Sequence, residues 1–233
     1  MSTEQFLPET IDVVVFDVIG TLVDEDGAWA TTARQLAVEA GLGSPEELHS
    51  RWTQLLNRRM NAVVDGDLPW QRHSHLVSDG AHEAITALGG TVTPAALALV
   101  ATLDREYPAW PDVAEATAAL RRGRLVVGVS NGDLDSLARL ANSNAISWDI
   151  ALSTGAAGTF KPAPAAYRYA IDTLGLVPGR TLFVAAHPWD LRAAADHGFR
   201  TAYLARPGAE APSAADQFDL TVEDLARLTT LLG

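Results

Sequence analysis

Residues 11–24 read IDVVVFDVIGTLVD, and this stretch decides the fold. Residues 11–16 are short, apolar and mostly β-branched, the composition of a strand buried on both faces of a parallel sheet. The run stops at Asp17, and Gly20-Thr21 follow. Runs of the same kind recur at 124–129 (RLVVGV), 149–153 (DIALS), 181–186 (TLFVAA) and 201–204 (TAYL). Helical patterns lie between them at 112–122, 133–142, 163–174 and 189–197, and a short edge strand at 218–220 with a helix over 222–232 closes the chain. Strands alternating with helices predict an α/β fold built on a parallel sheet. Such sheets bind ligands at the carboxyl ends of their strands.

The interval 25–108 breaks the alternation and reads as helices at 28–41, 45–65, 70–89 and 94–106. Ser44-Pro45-Glu46-Glu47 is a capping box with Pro at the first helical position. Gly41, Gly89 and Gly90 read as helix stops, and 107–111 (YPAWP) as the return to the sheet. The expected organisation is a parallel-sheet α/β core of residues 1–24 and 109–233 with a helical cap, 25–108, inserted after the first strand.

The 233 residues suit one core with an insertion; 48% are apolar and 20% charged, so the chain can bury that core. Its net charge of −12 argues against general nucleic-acid affinity. An anionic substrate stays compatible, because one or two buried cations can serve a pocket. The sequence has no cysteine, which removes disulfides, thiolate metal sites and a Cys nucleophile. That fits a cytoplasmic protein. No apolar run reaches the ~18 residues of a membrane span, and the opening MSTEQFLPETID has no signal pattern. His49, His73, His75, His82 and His197 show no metal-like spacing, and no glycine-rich nucleotide loop is present.

Polar residues stand at four strand ends: Asp17 with Thr21, Ser130-Asn131, Lys161, and Asp190. Each alone has an ordinary explanation as a turn former, a cap or a surface lysine. Together they bring an acid, a hydroxyl, an amide and a cation to one edge of one sheet.

The stretches FDVIGTLVD (16–24), VVGVSNGD (126–133), TFKPAPAAY (159–167) and FVAAHPWDL (183–191) resemble the four signature motifs of the haloacid dehalogenase (HAD) superfamily. The resemblance implies a Rossmann-like core with a helical cap, and Asp17 as a covalent nucleophile. Phosphatases of that superfamily carry a general acid two residues after the nucleophile, where this chain has Ile19. They also hold Mg²⁺ with two acids four apart, where this chain has Ala186 and Asp190; Asp196 is a poor substitute. The closer resemblance is to the L-2-haloacid dehalogenase branch, which needs no metal or other cofactor. A halide leaves without a proton, and one arginine can hold one carboxylate.

The resemblance implies hydrolysis of a small (S)-2-haloalkanoic acid to the (R)-2-hydroxy acid through an ester on Asp17. Thr21, Ser130 and Lys161 then position and charge-stabilise Asp17 and the substrate. Asn131 lies near the halide, Tyr167 beside the lysine, and Asp190 holds the lysine and helps activate water. In the cap, Arg51 edges the apolar stripe Leu48, Trp52, Leu55, Leu56, Val63 and is expected to clamp the substrate, with Arg58 and Arg59 as competitors. Leu55, Trp70 and Trp189 would form an apolar wall. Ile19 replaces a pocket aromatic, Ala185 a serine and His187 an asparagine; His187 could position or deprotonate the hydrolytic water. The alternatives are haloacetate or fluoroacetate preference, another leaving group such as a ring nitrogen, a Mg²⁺-dependent phosphatase, and a non-catalytic protein of the same fold. A homodimer is compatible with the resemblance.

Overall fold

The computed structural model describes residues 6–233. The first five residues, part of the opening read above for a signal pattern, lie outside the described residues. Six strands form one sheet: β1 (Val13–Phe16), β2 (Leu125–Ser130), β3 (Ile150–Ser153), β4 (Thr181–Ala185), β5 (Arg200–Leu204) and β6 (Leu220–Val222). Their order is β3-β2-β1-β4-β5-β6, and every pairing is parallel. The chain builds outward from β1 on one side, then crosses back to β4 and builds on the other. The switch point lies between β1 and β4, where the loops leaving the strand ends diverge and open a crevice. Register sets Phe16 beside Gly128 and Val184, so Asp17 emerges level with the ends of its two neighbours.

Four helices connect β1 toward β2: α1 (Glu25–Ala40), α2 (Pro45–Val64), α3 (His73–Ala87) and α4 (Pro94–Val100). Next comes α5 (Val113–Leu120); α6 (Leu134–Asn144), α7 (Pro164–Leu174) and α8 (Pro188–Asp196) join the later strands, and α9 (Leu225–Leu232) closes the chain. Trp29 of α1 and Trp52 of α2 pack with ring centroids 4.1 Å apart. Each indole N–H is satisfied, Trp29 by the Tyr107 hydroxyl and Trp52 by the Val77 carbonyl, both at 2.8 Å. Their cluster continues into the sheet face that carries Val14, Phe16 and Val184, while Val15, Val127, Phe183 and Tyr167 fill the opposite face. A sheet buried on both faces needs apolar residues at consecutive positions, which is what the strands supply.

Several element bounds depart from the sequence reading: α3 starts at His73 rather than residue 70, α9 starts at Leu225 rather than 222, and three more departures are visible. Helix α1 starts at Glu25 rather than residue 28, because the Asp24 side chain accepts the Gly27 N–H and caps it earlier. The helix expected over 94–106 ends at Val100, and a separate 3-10 turn covers Leu103–Arg105. The last strand is Leu220–Val222 rather than 218–220, because the Asp219 carboxylate takes the Thr201 N–H at 2.8 Å and docks the segment by its side chain before the ladder begins. Among the described residues, no helix is long and apolar enough to cross a membrane.

Candidate active site

Asp17 follows β1 and is 4% exposed. Its Oδ1 accepts from Lys161 Nζ at 2.8 Å and its Oδ2 from Thr21 Oγ1 at 2.7 Å. The Thr21 hydroxyl in turn accepts the Ala186 N–H at 2.9 Å, so β1 and the end of β4 fix the carboxylate plane together. Lys161 Nζ also donates to Asp190 Oδ2 at 2.5 Å, and Tyr167 donates to Asp190 Oδ1 at 2.6 Å. Lys161, 3% exposed, is the only lysine in the chain. A compact ammonium can sit between two carboxylates where a planar guanidinium fork would not fit.

These contacts set the electrostatics. Burial alone would lower the Lys161 pKa, but the charges of Asp17 and Asp190 outweigh it and hold the ammonium above an ordinary lysine. Burial, the largest influence on Asp190, pushes its carboxyl up against the pull of Lys161, and Asp17 adds to the push. Tyr167 is pushed far up by burial and then by Asp190, so it stays a phenol and a donor.

Asn131 holds the lysine's backbone. Its Oδ1 accepts the Lys161 N–H at 2.7 Å and the Thr154 hydroxyl at 3.0 Å, and its Nδ2 donates to the Lys161 carbonyl at 3.2 Å. Ser130 Oγ accepts the Gly132 N–H at 3.1 Å. His187 Nε2 stands 3.2 Å from the Ile19 carbonyl and 3.6 Å from Asp17 Oδ2. Both neighbours accept hydrogen bonds, so this nitrogen carries the proton, and His187 serves there as a donor rather than a base. Its ring stacks on Trp189 at 5.6 Å between centroids. Gly20 makes room for it: φ is +81° there, and a Cβ would stand 2.6 Å from His187 Nε2.

A cavity of about 320 Å³ opens above this cluster. Asp17, Ile19, Ser130, Asn131, Lys161, His187 and Trp189 reach it from the strand ends. Helices α1 to α3 supply the other wall, including Glu25, His49, Thr53, Asn57, Met60 and His73. Glu25 is partly exposed to the cavity. Burial pushes its carboxyl up to about 7, with the Asp17 charge adding and His187 opposing.

The structure brings together all the strand-end residues picked from the sequence, although Thr21, Tyr167 and Asp190 stand behind the cavity wall. It corrects three cap assignments. Arg51 is exposed and does not line the cavity, because α2 turns its 49–53–57–60 face inward and Arg51 lies between faces. Arg58 is exposed too, and Arg59 donates to Glu83 at 2.7 Å, so neither competitor serves. Leu55 is buried in the helical core, and its neighbour Leu56 lines the cavity instead. Trp70 lines a separate cavity with Arg72 and Asp133, its ring against Gly155. The sequence reading missed Glu25, His49 and His73. The signal for Glu25 was Asp24 as a cap, and for His49 the polar face 49–53–57.

A family model of haloacid dehalogenase-like hydrolases matches residues 11–198. The chain belongs to this family. An (S)-2-haloacid dehalogenase of Xanthobacter autotrophicus is 30% identical over 209 residues, covering 86% of this chain and 78% of that protein. The (S)-2-haloacid dehalogenase 4A of Burkholderia cepacia is 27% identical over 207 residues, covering 86% and 85%. A crystal structure of an L-2-haloacid dehalogenase superposes with a TM-score of 0.85 at 29% identity, over 95% of this chain and 98% of that one. A defluorinating L-2-haloacid dehalogenase gives the same TM-score at 26% identity, over 95% of each chain. The fold and the hydrolase family expected from the sequence are therefore borne out.

Proposed function

We propose that this hydrolase cleaves the carbon–halogen bond of a small (S)-2-haloalkanoic acid and releases the (R)-2-hydroxy acid. The observation that carries the reading is Asp17 itself: a buried carboxylate at the switch point, pinned through both oxygens, facing a small cavity with Ile19 rather than an acid two residues on. A nucleophile without a nearby proton donor of that kind suits a leaving group that needs no proton. Lys161 Nζ occupies the point where Asp17 and Asp190 converge. That leaves charge neutralisation to an ammonium the chain supplies.

An Asp17 oxygen donates a lone pair to the carbon bearing the halogen. The C–O bond forms from the rear as the halide departs with the bonding pair, inverting the carbon. Water then adds to the ester carbonyl of Asp17; the C–O bond to the substrate breaks, one water proton passes to the departing hydroxy-acid oxygen, and the other is lost to solvent as the Asp17 carboxylate is restored. Lys161 stabilises the carboxylate before attack and the oxyanion formed by water addition. Thr21 fixes the carboxylate plane, and Asp190 with Tyr167 holds Lys161 in place. Asn131 anchors the lysine segment and keeps a second amide hydrogen for the cavity; Ser130 lines its floor. His187 orients the water near the ester as a donor, in place of the missing side chain at Ala185. The helices of 25–108 act as the cap that excludes bulk water from the first step, with Ile19, Leu56 and Trp189 as apolar wall. The absence of cysteine and of any apolar span among the described residues supports a cytoplasmic enzyme.

The test is halide release from chloroacetate, fluoroacetate and each enantiomer of 2-chloropropionate, with excess chelator present. The reading predicts release from the S enantiomer with inverted product, abolished in Asp17→Asn with the fold intact. Loss of all activity to chelator, or undiminished turnover in Asp17→Asn after excluding deamidation, would refute it.

A further inference from the structure

The cavity holds an anion problem. Among its described lining residues the one lysine or arginine is Lys161, already bound to Asp17 and Asp190, and two further acids, Glu25 and Asp26, share the space. A departing halide therefore needs hydrogen-bond donors rather than a free cation.

His73 meets that need. It is the first residue of α3, 2% exposed, and it lines the cavity. Its Nδ1 is sealed from solvent and has no hydrogen-bond partner, whereas Nε2 is not among the buried atoms left without one, so Nε2 is the nitrogen assigned to the cavity side. Buried donors go unpaired far less readily than acceptors, so the proton belongs on Nε2. Burial also lowers the His73 pKa, against the charges of Asp104 and Asp133, which favours the neutral ring. A neutral imidazole with Nδ1 bare is a directed N–H donor.

The backbone that carries the ring is held from the sheet side. Asp133, just after the Ser130-Asn131 strand end, accepts the backbone N–H of His73 at 3.2 Å, the backbone N–H of Ser74 at 3.1 Å and the Ser74 hydroxyl at 2.6 Å. Arg72 closes the clamp on the same carboxylate at 3.2 Å. The first turn of α3 is thus tied to the loop that carries the catalytic strand end.

We propose that His73 Nε2–H is the hydrogen-bond donor that receives the leaving halide, a catalytic role taken on by a neutral imidazole in a cavity without a free cation. The proposal rests on the dehalogenase reading. As Asp17 forms the C–O bond, the halide leaves with the bonding pair toward the helical wall and accepts the His73 N–H. No proton is transferred. Fluoride, the most basic and poorest leaving halide, depends on this bond most.

Two measurements test it. Long-range ¹H–¹⁵N correlation on the wild-type protein at pH 6–8 should show His73 neutral with the proton on Nε2, and that proton should shift on titration with bromide. A proton on Nδ1, a charged ring, or no response to bromide would overturn the proposal. Halide release by His73→Phe should then fall about 10–100-fold in kcat, most for fluoride and least for bromide, while His73→Gln, which keeps an N–H donor, recovers most of it. An equal loss across halogens, or no loss, would also overturn it. If the wild type releases no halide from any 2-halo acid, the dehalogenase reading falls, and the bromide titration alone decides whether His73 is an anion donor.

Discussion

Replacing Lys161 by Met keeps the stem and removes the only charge between two buried carboxylates. Asp17 and Asp190 are 4% and 0% exposed, and each accepts a hydrogen bond from that ammonium, at 2.8 and 2.5 Å. Breaking a buried ion pair by removing one partner costs about 3–5 kcal/mol, because the remaining charge is left unneutralised. Here two like charges remain, so one carboxyl must take up a proton, and its folded pKa rises above the unfolded value. The native variant then binds a proton that the unfolded chain has lost, so stability falls as pH rises through that window. The variant should lose about 3–5 kcal/mol to urea at pH 8, recover most of it near pH 5, and recover at pH 8 when Asp190→Asn is added. Activity of the single variant should drop at least ~100-fold. A loss independent of pH, or no recovery in the double variant, would refute the claim that Lys161 is held by charge. Because the chain has one lysine, ¹³C-lysine labelling of the wild type gives one side-chain signal, which should stay charged up to pH 10 or beyond.

Further outcomes follow from the same contacts. Glu25, pushed up to about 7 by burial, adds a negative charge to the cavity above that pH; like charges across a wet cavity cost on the order of 1 kcal/mol, so KM for an anionic substrate should rise roughly five-fold between pH 6 and 8, and Glu25→Gln should flatten the profile. That shift also makes folding stability fall as pH rises from the ordinary glutamate value of 4.5 toward about 7, so Glu25→Gln should be the more stable protein above pH 7 and equal to the wild type near pH 4, as read by thermal melting. Gly20→Ala forces a side chain into φ +81° against His187 Nε2; it should cost about 1–2 kcal/mol of stability and reduce turnover beyond what unfolding explains, read by comparing melting temperature with kcat. Tyr167→Phe removes the 2.6 Å bond to Asp190 and leaves an acceptor unpaired; denaturant titration should show a loss of about 1–3 kcal/mol.

The strand ends were legible because a parallel sheet delivers them to one edge whatever the details of packing. Asp17, Thr21, Lys161, Tyr167 and Asp190 form one hydrogen-bonded chain, as their order along the sequence suggested. The helical wall was not legible in the same way. On α2 the apolar stripe of Leu48, Trp52 and Leu55 packs against neighbouring helices, and the cavity sees the adjoining face of His49, Thr53, Asn57 and Met60. Amphipathicity finds the buried face of a helix but does not say which flank meets a ligand. Trp70 looked like pocket lining by its distance along the chain, yet α3 begins at His73, so the turn before it carries Trp70 away and delivers a histidine instead. Glu25 was hidden at the junction between sheet and helices, where its place in the first turn of α1 depends on the Asp24 cap.

The central claim is that Asp17 becomes covalently attached to the substrate, and a single turnover in H₂¹⁸O with enzyme in excess tests it most directly. Water attacks the ester carbonyl, so the account predicts ¹⁸O in the carboxyl of Asp17, found by mass spectrometry of the peptide that contains it, and ¹⁶O in the first hydroxy acid released. Label in the product with none in Asp17 would mean that water attacks the substrate carbon itself, and would contradict the account.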